Sequence, residues 1–368
     1  MGKVILFYSS FAHRSRDTES VMIALRKKGH RVISLSQESG MDIHEFLNTF
    51  DVETCTHVLP GKRNTLFFLR QLIFFVKFCR KHHVDKVFSH LEQANYVASL
   101  GQYFIGAQVF LCRHHINEAA LYGFDRSFYY KLTYTLARRI IVVSERARQY
   151  MIDHEKIPAS KIIHINLAYD FSLYRKPDMS VARSIRKQYE AELLVLTICR
   201  LTKYKRPELS IHTLQLLVDR GIDAKLIVLG KGELESVLMD QIRNSNLSHR
   251  VFLLGHVPNT LDYLQAADYL LHPSTLDSSC VVVKEAGLVQ KPVIVCEGVG
   301  DFDDYIENDV NGVLVSPENY VEEAARVIQS TRQNEPFLHQ LGARLRADVL
   351  RRFDIAGVLP EYLQIVDN

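Results

Sequence analysis

Short apolar runs alternate with longer amphipathic stretches along the first half of the chain. Most of the apolar runs are continuous, as expected for parallel strands that are covered on both faces. The stretches between them, such as residues 15–28 and 126–138, repeat their apolar positions with helical periodicity. This alternation is typical of βαβ units. It predicts strands at 3–7, 31–35, 86–89, 108–112, 139–144 and 161–165.

The same alternation restarts after Pro177-Asp178, which marks a seam in the sequence. It predicts strands at 193–199, 225–229, 251–254, 269–272, 292–296 and 312–315, with helices such as 207–220 and 234–244 between them. We therefore expect an α/β fold of two Rossmann-like domains whose parallel sheets face a central cleft, where such folds bind ligands. The expected domains are 1–175 and 176–350. A C-terminal helix is expected in 351–368, and one option is that this helix crosses back to the first domain.

The composition is that of a globular protein, with 47% hydrophobic and 24% charged residues. No apolar run approaches the roughly 18–20 residues of a membrane-spanning helix. The N-terminal sequence MGKVILFYSSF indicates a first strand, not a signal peptide. The six cysteines lack CxxC spacing and are expected to be free thiols. Together these features predict a cytoplasmic protein.

The net charge of +3 hides an asymmetry between the two halves. Residues 1–170 contain 23 Lys or Arg and 15 Asp or Glu, a net of +8, and the remainder contains 22 and 27, a net of −5. Opposite charges indicate that the two domains bind different partners. A pI near 8.4 and the lack of a recognised nucleic-acid motif argue against nucleic-acid binding.

The most basic segment is residues 62–86, where seven Lys or Arg stand against one Asp. It encloses the run LFFLRQLIFFVKFC. A basic helix with several Phe can lie on an anionic membrane surface, which here is the inner face of the membrane. An ordinary helix with an aromatic face in the core and a solvated basic face explains the same pattern. The sequence leaves both interpretations open.

The residues with the clearest chemistry lie at 271–288, in LHPSTLDSSCVVVKEAGL. A strand ends at HPS, Asp277 follows in a loop, and Ser278 and Ser279 are residue types that cap helices. Glu285 lies eight residues after Asp277, within the predicted helix. The free N–H groups at the start of that helix can hold a diphosphate, so that one extended ligand fits between the two carboxylates.

This segment resembles the Glu-x7-Glu motif of the family 4 glycosyltransferases (glycosyl transferases group 1), which are retaining nucleotide-sugar enzymes of the GT-B fold. The motif here is Asp277-x7-Glu285. Further landmarks of that family occur in the expected order: Arg200-Leu201 with Lys205, Gly230-Lys231-Gly232, Val251–Gly255, Ala267-Asp268 with Pro273-Ser274, Lys291-Pro292 and Asn311-Gly312. The first half resembles the family more loosely.

The resemblance implies a GT-B enzyme that moves a hexose-type sugar from a nucleotide diphosphate sugar to a glycan or lipid-linked acceptor, as in polysaccharide biosynthesis. The first domain would bind the acceptor and the second would bind the nucleotide sugar. No cofactor and no metal would be needed, because two cations and a helix terminus neutralise the departing diphosphate.

The resemblance also implies roles for individual residues. Glu285 would bind the ribose hydroxyls, Arg200 and Lys205 would hold the diphosphate, and Asp277 would face the sugar. A histidine that follows the strand at 108–112 would contact the transferred sugar. Two candidates for it stand side by side, His114 and His115. The other implied donor-binding residues are Gly230, Gly232, Ser278 and Ser279.

Two departures from the family pattern keep other functions open. Asp277 is one methylene shorter than the usual Glu, and Ser278, Ser279 and Cys280 stand where glycines are common. A catalytically degenerate GT-B scaffold protein is one alternative. Another nucleotide-sugar enzyme of the same fold, such as an epimerase or a phosphorylase, is the second.

Overall fold

The structure, a computed structural model, describes residues 2–11, 14–38, 41–61, 64–117 and 127–368. The chain divides into two compact units: unit 1 comprises Met1–Phe171 and Arg352–Asn368, and unit 2 comprises Ser172–Arg351. Asp178, from the seam noted in the sequence, lies just inside unit 2. Its carboxylate accepts the backbone N–H of Ser180 at 2.8 Å and begins the first helix of that unit.

Within the described part of unit 1, seven parallel strands form one sheet in the order β3-β2-β1-β4-β5-β6-β7. They are β1 (Val4–Ser9), β2 (Arg31–Ser36), β3 (Glu53–Thr56), β4 (Lys86–His90), β5 (Gln108–Arg113), β6 (Arg139–Val142) and β7 (Ile162–His164). The apolar pattern predicts six of them. It misses β3, because this short edge strand has the sequence ETCT and is not buried on either face.

The described part of unit 2 contains a six-stranded parallel sheet in the order β10-β9-β8-β11-β12-β13. Its strands are β8 (Leu193–Ile198), β9 (Ala224–Leu229), β10 (Val251–Gly255), β11 (Tyr269–His272), β12 (Val293–Cys296) and β13 (Val313–Val315). All six lie where the sequence pattern predicts strands. The two Rossmann-like sheets thus confirm the predicted α/β fold class.

Helices connect the strands in both units. Along the chain they are α1 (Arg16–Lys27), α2 (Met41–Asn48), α3 (Thr65–Lys81), α4 (Glu92–Gly101), α5 (Ser127–Leu136), α6 (Glu145–Asp153), α7 (Met179–Gln188), α8 (Pro207–Asp219), α9 (Glu235–Asn244), α10 (Thr260–Ala266), α11 (Val281–Leu288), α12 (Phe302–Tyr305), α13 (Tyr320–Thr331), α14 (Glu335–Phe353) and α15 (Ile355–Asp367). Of the predicted basic segment 62–86, residues 62 and 63 lie outside the described residues, and α3 forms its centre.

The continuous apolar runs follow from a sheet that is covered on both faces. Leu6 and Tyr8 of β1 enter one hydrophobic cluster, and Ile5 and Phe7 enter another. Successive side chains of a strand point to opposite faces, so both sets must be apolar. The unit 1 sheet therefore separates two cores.

The last helix, α15, belongs to unit 1. It packs on α1, and its side chains Val358, Tyr362 and Val366 join the cluster that contains Ile5. Just before this helix, the backbone of Tyr169 accepts the N–H of Ile355 at 2.9 Å. One hydrophobic core of unit 1 is thus completed by a helix that follows unit 2 in the sequence.

Both sheets contain a topological switch point, where the order of the strands reverses. In unit 1 it lies between β1 and β4, and in unit 2 it lies between β8 and β11. Doubly wound sheets bind ligands in the crevice at the carboxyl ends of these strands. Each unit therefore has one edge where a ligand site is expected.

Candidate active site

The loops that follow β8 and β11, residues 199–206 and 273–280, meet at the switch point of unit 2. They lie side by side because the two strands are neighbours. The carbonyl of Tyr204 accepts the backbone N–H of Thr275 at 2.9 Å and the hydroxyl of Ser274 at 3.2 Å. The edge carries five of the predicted site residues, which are Arg200, Lys205, Asp277, Ser278 and Ser279.

The Asp277 carboxylate is the centre of a buried ion cluster. Its Oδ2 accepts a hydrogen bond from Lys205 Nζ at 2.6 Å and another from His272 Nε2 at 2.7 Å. The side chains of Asp277 and His272 are only 14% and 2% exposed. Burial raises the pKa of Asp277, but the hydrogen bond from His272 and the charge of Lys205 outweigh it, so that the pKa lies well below its usual range. Asp277 is ionised and already paired.

His272 is also charged at neutral pH. Burial lowers its pKa, but the neighbouring Cys280 and Asp277 outweigh burial and raise the pKa to about 9. The sulfur of Cys280, one ring nitrogen of His272 and a carboxylate oxygen of Asp277 lie within 4.8 Å of one another. This set of sulfur, nitrogen and oxygen atoms is able to bind a transition metal.

His272 and Cys280 are not among the site residues that the sequence predicts. A signal for His272 was present, since it is the polar last residue of β11 at the switch point. The sequence does not indicate Cys280 in the same way. Its position beside Asp277 depends on the path of the loop, and Cys280 does not end a strand. It is the residue that precedes α11.

Arg200 follows β8 closely and is exposed to solvent. Among the described residues, none forms a hydrogen bond or an ion pair with its guanidinium group. Lys205 by contrast is mostly buried and already bonded to Asp277. Of the two predicted diphosphate ligands, Lys205 is therefore paired, whereas Arg200 has no partner within the described ranges.

Gly230 and Gly232 lie against the backbone of the loop that carries Arg200. A Cβ at Gly230 would stand 1.9 Å from the carbonyl oxygen of Cys199, and one at Gly232 would stand 2.4 Å from that of Leu201. The backbone N–H of Leu201 also donates to the carbonyl of Lys231 at 3.0 Å. Close approach of two backbones thus explains why these positions require glycine.

Glu285 lies on α11, and only 4% of the residue is exposed. The hydroxyl of Thr260, the first residue of α10, donates to its Oε2 at 3.1 Å. A buried carboxylate at this place can accept hydroxyl hydrogen bonds from a ligand that reaches it.

Ser279 has a partner within the protein. Its hydroxyl donates to Oδ2 of Asp301 at 2.5 Å, and the fully buried Lys284 donates to the same oxygen at 2.8 Å. The predicted capping role of the serines differs from what is observed, because α11 begins at Val281 after Cys280. The Lys284–Asp301 ion pair therefore fixes the loop at Ser279.

Unit 1 has a cavity of about 240 Å³ at its own switch point. Ser9 and Phe11 line it after β1, His90 and Leu91 line it after β4, and His114 lines it after β5. Ser36, the last residue of β2, lines it as well, so the cavity is built from the carboxyl ends of four adjacent strands, as expected for a ligand site in this fold.

His114 and His90 contact each other at this cavity, where Nε2 of His114 lies 2.9 Å from Nδ1 of His90. Burial lowers the pKa of both rings. Both are therefore neutral at pH 7, and one nitrogen of the pair donates to the other. His90 was missed by our sequence analysis, although it ends a strand at the switch point.

A buried arginine shapes the loop after β5. The guanidinium group of Arg113 bonds to both carboxylate oxygens of Glu155, at 2.6 and 2.9 Å, and to the carbonyls of His115 and Ile116. Of the two adjacent histidines, His114 is the one that lines the cavity. The sequence left this choice open.

Comparison with family models gives two matches that together span most of the chain. Residues 179–348 match the model "Glycosyl transferases group 1". Residues 17–173 match the model "Glycosyltransferase Family 4". The first match covers the loops around Asp277, and the second covers the cavity at His90 and His114.

Two bacterial relatives are similar in sequence. Poly(ribitol-phosphate) alpha-N-acetylglucosaminyltransferase of Staphylococcus aureus is 22% identical over 50% of this chain and 37% of its own length. N-acetylgalactosamine-N,N'-diacetylbacillosaminyl-diphospho-undecaprenol 4-alpha-N-acetylgalactosaminyltransferase of Campylobacter jejuni is 22% identical over 78% of this chain and 80% of its own length. Poly(ribitol-phosphate) alpha-N-acetylglucosaminyltransferase and three further relatives are matched over only 37 to 65% of their own lengths.

The fold also matches solved structures over its whole length. The crystal structure of Anabaena Alr3699/HepE in complex with UDP superposes with a TM-score of 0.84 at 19% sequence identity and covers 99% of both chains. The same Anabaena protein has also been solved in complex with UDP-glucose. At this level of identity the likeness establishes the fold.

Proposed function

This chain belongs to the GT-B glycosyltransferases of group 1 and family 4, and from that premise we propose its reaction. Unit 2 binds a nucleotide diphosphate sugar, and unit 1 binds a glycan or lipid-linked acceptor. The enzyme transfers a hexose-type sugar with retention of its anomeric configuration. The observation that carries this proposal is the cluster of Lys205, His272 and Asp277 at the switch point. The loop that carries Lys205 also carries Arg200, an exposed cation with no partner in the described part of the chain.

The charges at this edge suit an anionic leaving group. Residues 199–206 contain four Lys or Arg and no acid, and residues 273–280 contain Asp277 as their one charged residue. Arg200 is free to bind one phosphate, and Lys205 can share its charge between Asp277 and a second phosphate. Fixed cations of this kind neutralise a diphosphate as it departs. We therefore expect donor binding and transfer without a divalent metal.

In the proposed transfer, the bond between the anomeric carbon and the β-phosphate oxygen breaks, and its electron pair leaves with the diphosphate. The acceptor hydroxyl attacks the anomeric carbon from the same face, and its proton passes to the departing phosphate oxygen. The negative charge of Asp277, placed towards the sugar, stabilises the positive charge that develops on the ring. This course retains configuration.

Glu285 is proposed to accept hydrogen bonds from the ribose hydroxyls of the nucleotide. Its carboxylate is buried and is held from one side by Thr260. A hydrogen bond to a charged group in such a setting contributes about 1.5–3 kcal/mol. Loss of Glu285 should therefore weaken donor binding by at least about tenfold.

The unit 1 cavity is proposed to take the acceptor, with His114 at the place of reaction. Because its ring is neutral at pH 7, His114 can bond to a sugar hydroxyl either as donor or as acceptor. His90 holds the ring by the 2.9 Å contact to its Nε2. His90 is thus a positioning residue for His114.

Unit 1 is also proposed to contact an anionic membrane surface through α3. This helix buries Phe75 and Phe78 in the core, yet it exposes Leu66, Leu69 and Ile73 on one stripe, each about half accessible. Its charged residues are all basic: Arg70, Lys77, Arg80 and Lys81. In the described ranges, no helix has both the length and the apolar character to cross a bilayer. The helix fits surface binding by exposed apolar side chains and charge.

Vesicle co-sedimentation tests this contact. A variant with Leu69→Ser and Ile73→Ser should lose binding to vesicles of phosphatidylcholine and phosphatidylglycerol, whereas Met239→Ser, an exposed apolar change in unit 2, should retain it. Equal binding to purely neutral vesicles, or equal binding by both variants, would contradict the proposal.

A thermal-shift panel of nucleotide sugars in the presence of EDTA tests the donor proposal. We expect one nucleotide class to raise the Tm, and we expect this shift to disappear in Glu285→Gln but to persist in Glu297→Gln, an exposed residue of the same unit. No shift with any donor would contradict the proposal. A shift without transfer would favour the degenerate scaffold. Conversion of the donor alone would favour an epimerase, and conversion that requires inorganic phosphate would favour a phosphorylase.

A further inference from the structure

We propose that His272, Asp277 and Cys280 form a binding site for one divalent transition metal of the zinc type, and that metal bound there inhibits donor binding. The three ligand atoms lie within 4.8 Å of one another. The metal site stands on this geometry alone. The inhibition rests in addition on the proposed function.

The spacing of the three atoms is close to that of a metal centre. Zinc binds His nitrogen, Cys sulfur and carboxylate oxygen at about 2.0–2.3 Å, which places ligand atoms of a tetrahedral site roughly 3.3–3.8 Å apart. His272 Nε2 and Asp277 Oδ2 are 2.7 Å apart and must separate by roughly 0.6–1 Å, and no pair of the set is more than 4.8 Å apart. Side-chain rotations supply movements of this size.

The protein holds the ligands on firm supports at both ends of a short segment. His272 is the last residue of β11, and Cys280 is the residue from which α11 starts. Arg206 fixes the loop between them, because its Nε donates to the carbonyl of Pro273 at 2.7 Å. A site whose ligands are already held close loses little conformational freedom when it binds a metal.

One ring nitrogen of His272 makes no hydrogen bond to the described part of the protein. Its Nδ1 is buried and has no hydrogen-bond partner in the described part of the chain. Metal binding through Nε2 would cost the ring its hydrogen bond to Asp277 and would release the proton of that nitrogen. A buried polar atom without a partner is rare in folded proteins, and a bound ion nearby is one of the explanations for it.

The donor atoms define which metals fit. One sulfur, one nitrogen and one oxygen suit Zn²⁺ or Co²⁺, whereas Mg²⁺ and Ca²⁺ prefer all-oxygen sites. Three protein ligands leave a fourth position for water. The proposed site is therefore selective against Mg²⁺ and Ca²⁺.

The inhibition follows from the position of Lys205. Its ammonium group now lies 2.6 Å from the Asp277 oxygen that the metal would use. A divalent ion on this oxygen would compete with the ammonium group for the same lone pairs and would repel its charge, so we expect the metal to displace Lys205. Both Asp277 and Lys205 then leave the arrangement that is proposed to receive the donor.

Cobalt titration of the full chain under a non-thiol reductant tests the site. We expect one equivalent of Co²⁺ to give a thiolate-to-cobalt charge-transfer band that Zn²⁺ removes. The band should be absent in Cys280→Ser and present in Cys55→Ser, a half-buried thiol of unit 1. Absence of a stoichiometric band in the wild-type protein, or its persistence in Cys280→Ser, overturns the proposal. The wild-type titration tests the site by itself, even if a variant fails to fold. His272→Gln is a second variant in which the band should be absent.

The donor thermal shift, repeated with one equivalent of Zn²⁺, tests the inhibition separately. We expect Zn²⁺ to weaken donor binding at least tenfold, and EDTA to restore it. A cobalt site combined with unchanged donor affinity overturns the inhibition. A cobalt site in a protein that binds no donor with or without metal overturns the proposed function and supports the metal site.

Discussion

Lys205 Nζ and Asp277 Oδ2 lie 2.6 Å apart, although the two residues are 72 positions apart in the sequence. The ion pair joins the loops that follow β8 and β11 at the switch point of unit 2. Because Asp277 holds the Lys205 ammonium, a bound diphosphate has to share that cation. The pair therefore sets the charge of the proposed donor site before a ligand arrives.

Acid should remove the contribution of Asp277 to stability. Its folded-state pKa is lowered, so it stabilises the fold above its unfolded value of 3.8 and loses this effect as the pH falls below that value. The facing groups, His272, Lys205 and the Cys280 thiol, do not titrate there. The difference in unfolding free energy between wild type and Asp277→Asn should shrink by roughly 1 kcal/mol between pH 5 and pH 3. Urea unfolding at several pH values measures it, and a constant difference would refute the assignment.

Lys284→Met should destabilise unit 2 strongly. The Lys284 side chain is fully buried and its partner Asp301 is 1% exposed, so the variant leaves an unpaired buried carboxylate. Removal of one partner of such a pair costs about 3–5 kcal/mol. Arg243→Met, which breaks an exposed pair with Asp240, should change stability by less than about 0.5 kcal/mol. Similar denaturation midpoints for the two variants would disprove the buried-pair argument.

Gly230→Ala should disturb the loop of Arg200 as well as the fold. Gly230 has a φ of +128°, and its added Cβ would meet the Cys199 carbonyl oxygen at 1.9 Å. Gly221 also has a positive φ, of +78°, but a Cβ there meets nothing within 4 Å. Gly221→Ala should therefore cost only about 1 kcal/mol of backbone strain, whereas Gly230→Ala should cost more and also weaken donor binding. Equal losses for the two variants would show that the close approach is unimportant.

His114→Ala should lower kcat/KM for the acceptor, because His114 lies at the unit 1 cavity that is proposed to take the acceptor. One lost hydrogen bond of about 1–1.5 kcal/mol corresponds to about tenfold in kcat/KM for the acceptor. His115→Ala should have a smaller effect. Steady-state kinetics with donor and acceptor varied separately resolve these cases, and a larger loss in His115→Ala would reverse our choice between the two histidines.

The sequence predicts most of the fold because the strands are buried on both faces. Continuous apolar runs such as β8, LLVLTI, leave little choice of structure. The edge strand β3 differs, because solvent lies where a second neighbouring strand would be. Its residues are not buried, so a polar sequence can form this strand. Patterning thus reports burial, and it fails where an element is not buried.

The candidate site is predictable only in part, and the limit is again physical. A motif places Asp277 and Glu285 on one loop and helix, but it does not show that Lys205 and His272 both bond to Asp277. Those bonds depend on which strands are neighbours in the sheet, and that order is a property of the tertiary fold. The need for glycine at position 230 is also not visible in the sequence, because it depends on the path of the loop that follows β8.

Calorimetric titration of the nucleoside diphosphate in EDTA tests the central claim most directly, with wild type, Arg200→Gln, Lys205→Met and the exposed neighbour control Lys203→Met. We predict metal-free binding by the wild type, at least tenfold weaker binding by Arg200→Gln and Lys205→Met, and near wild-type binding by Lys203→Met. Binding that requires a divalent metal, or that is the same in all four proteins, would contradict the proposed donor site.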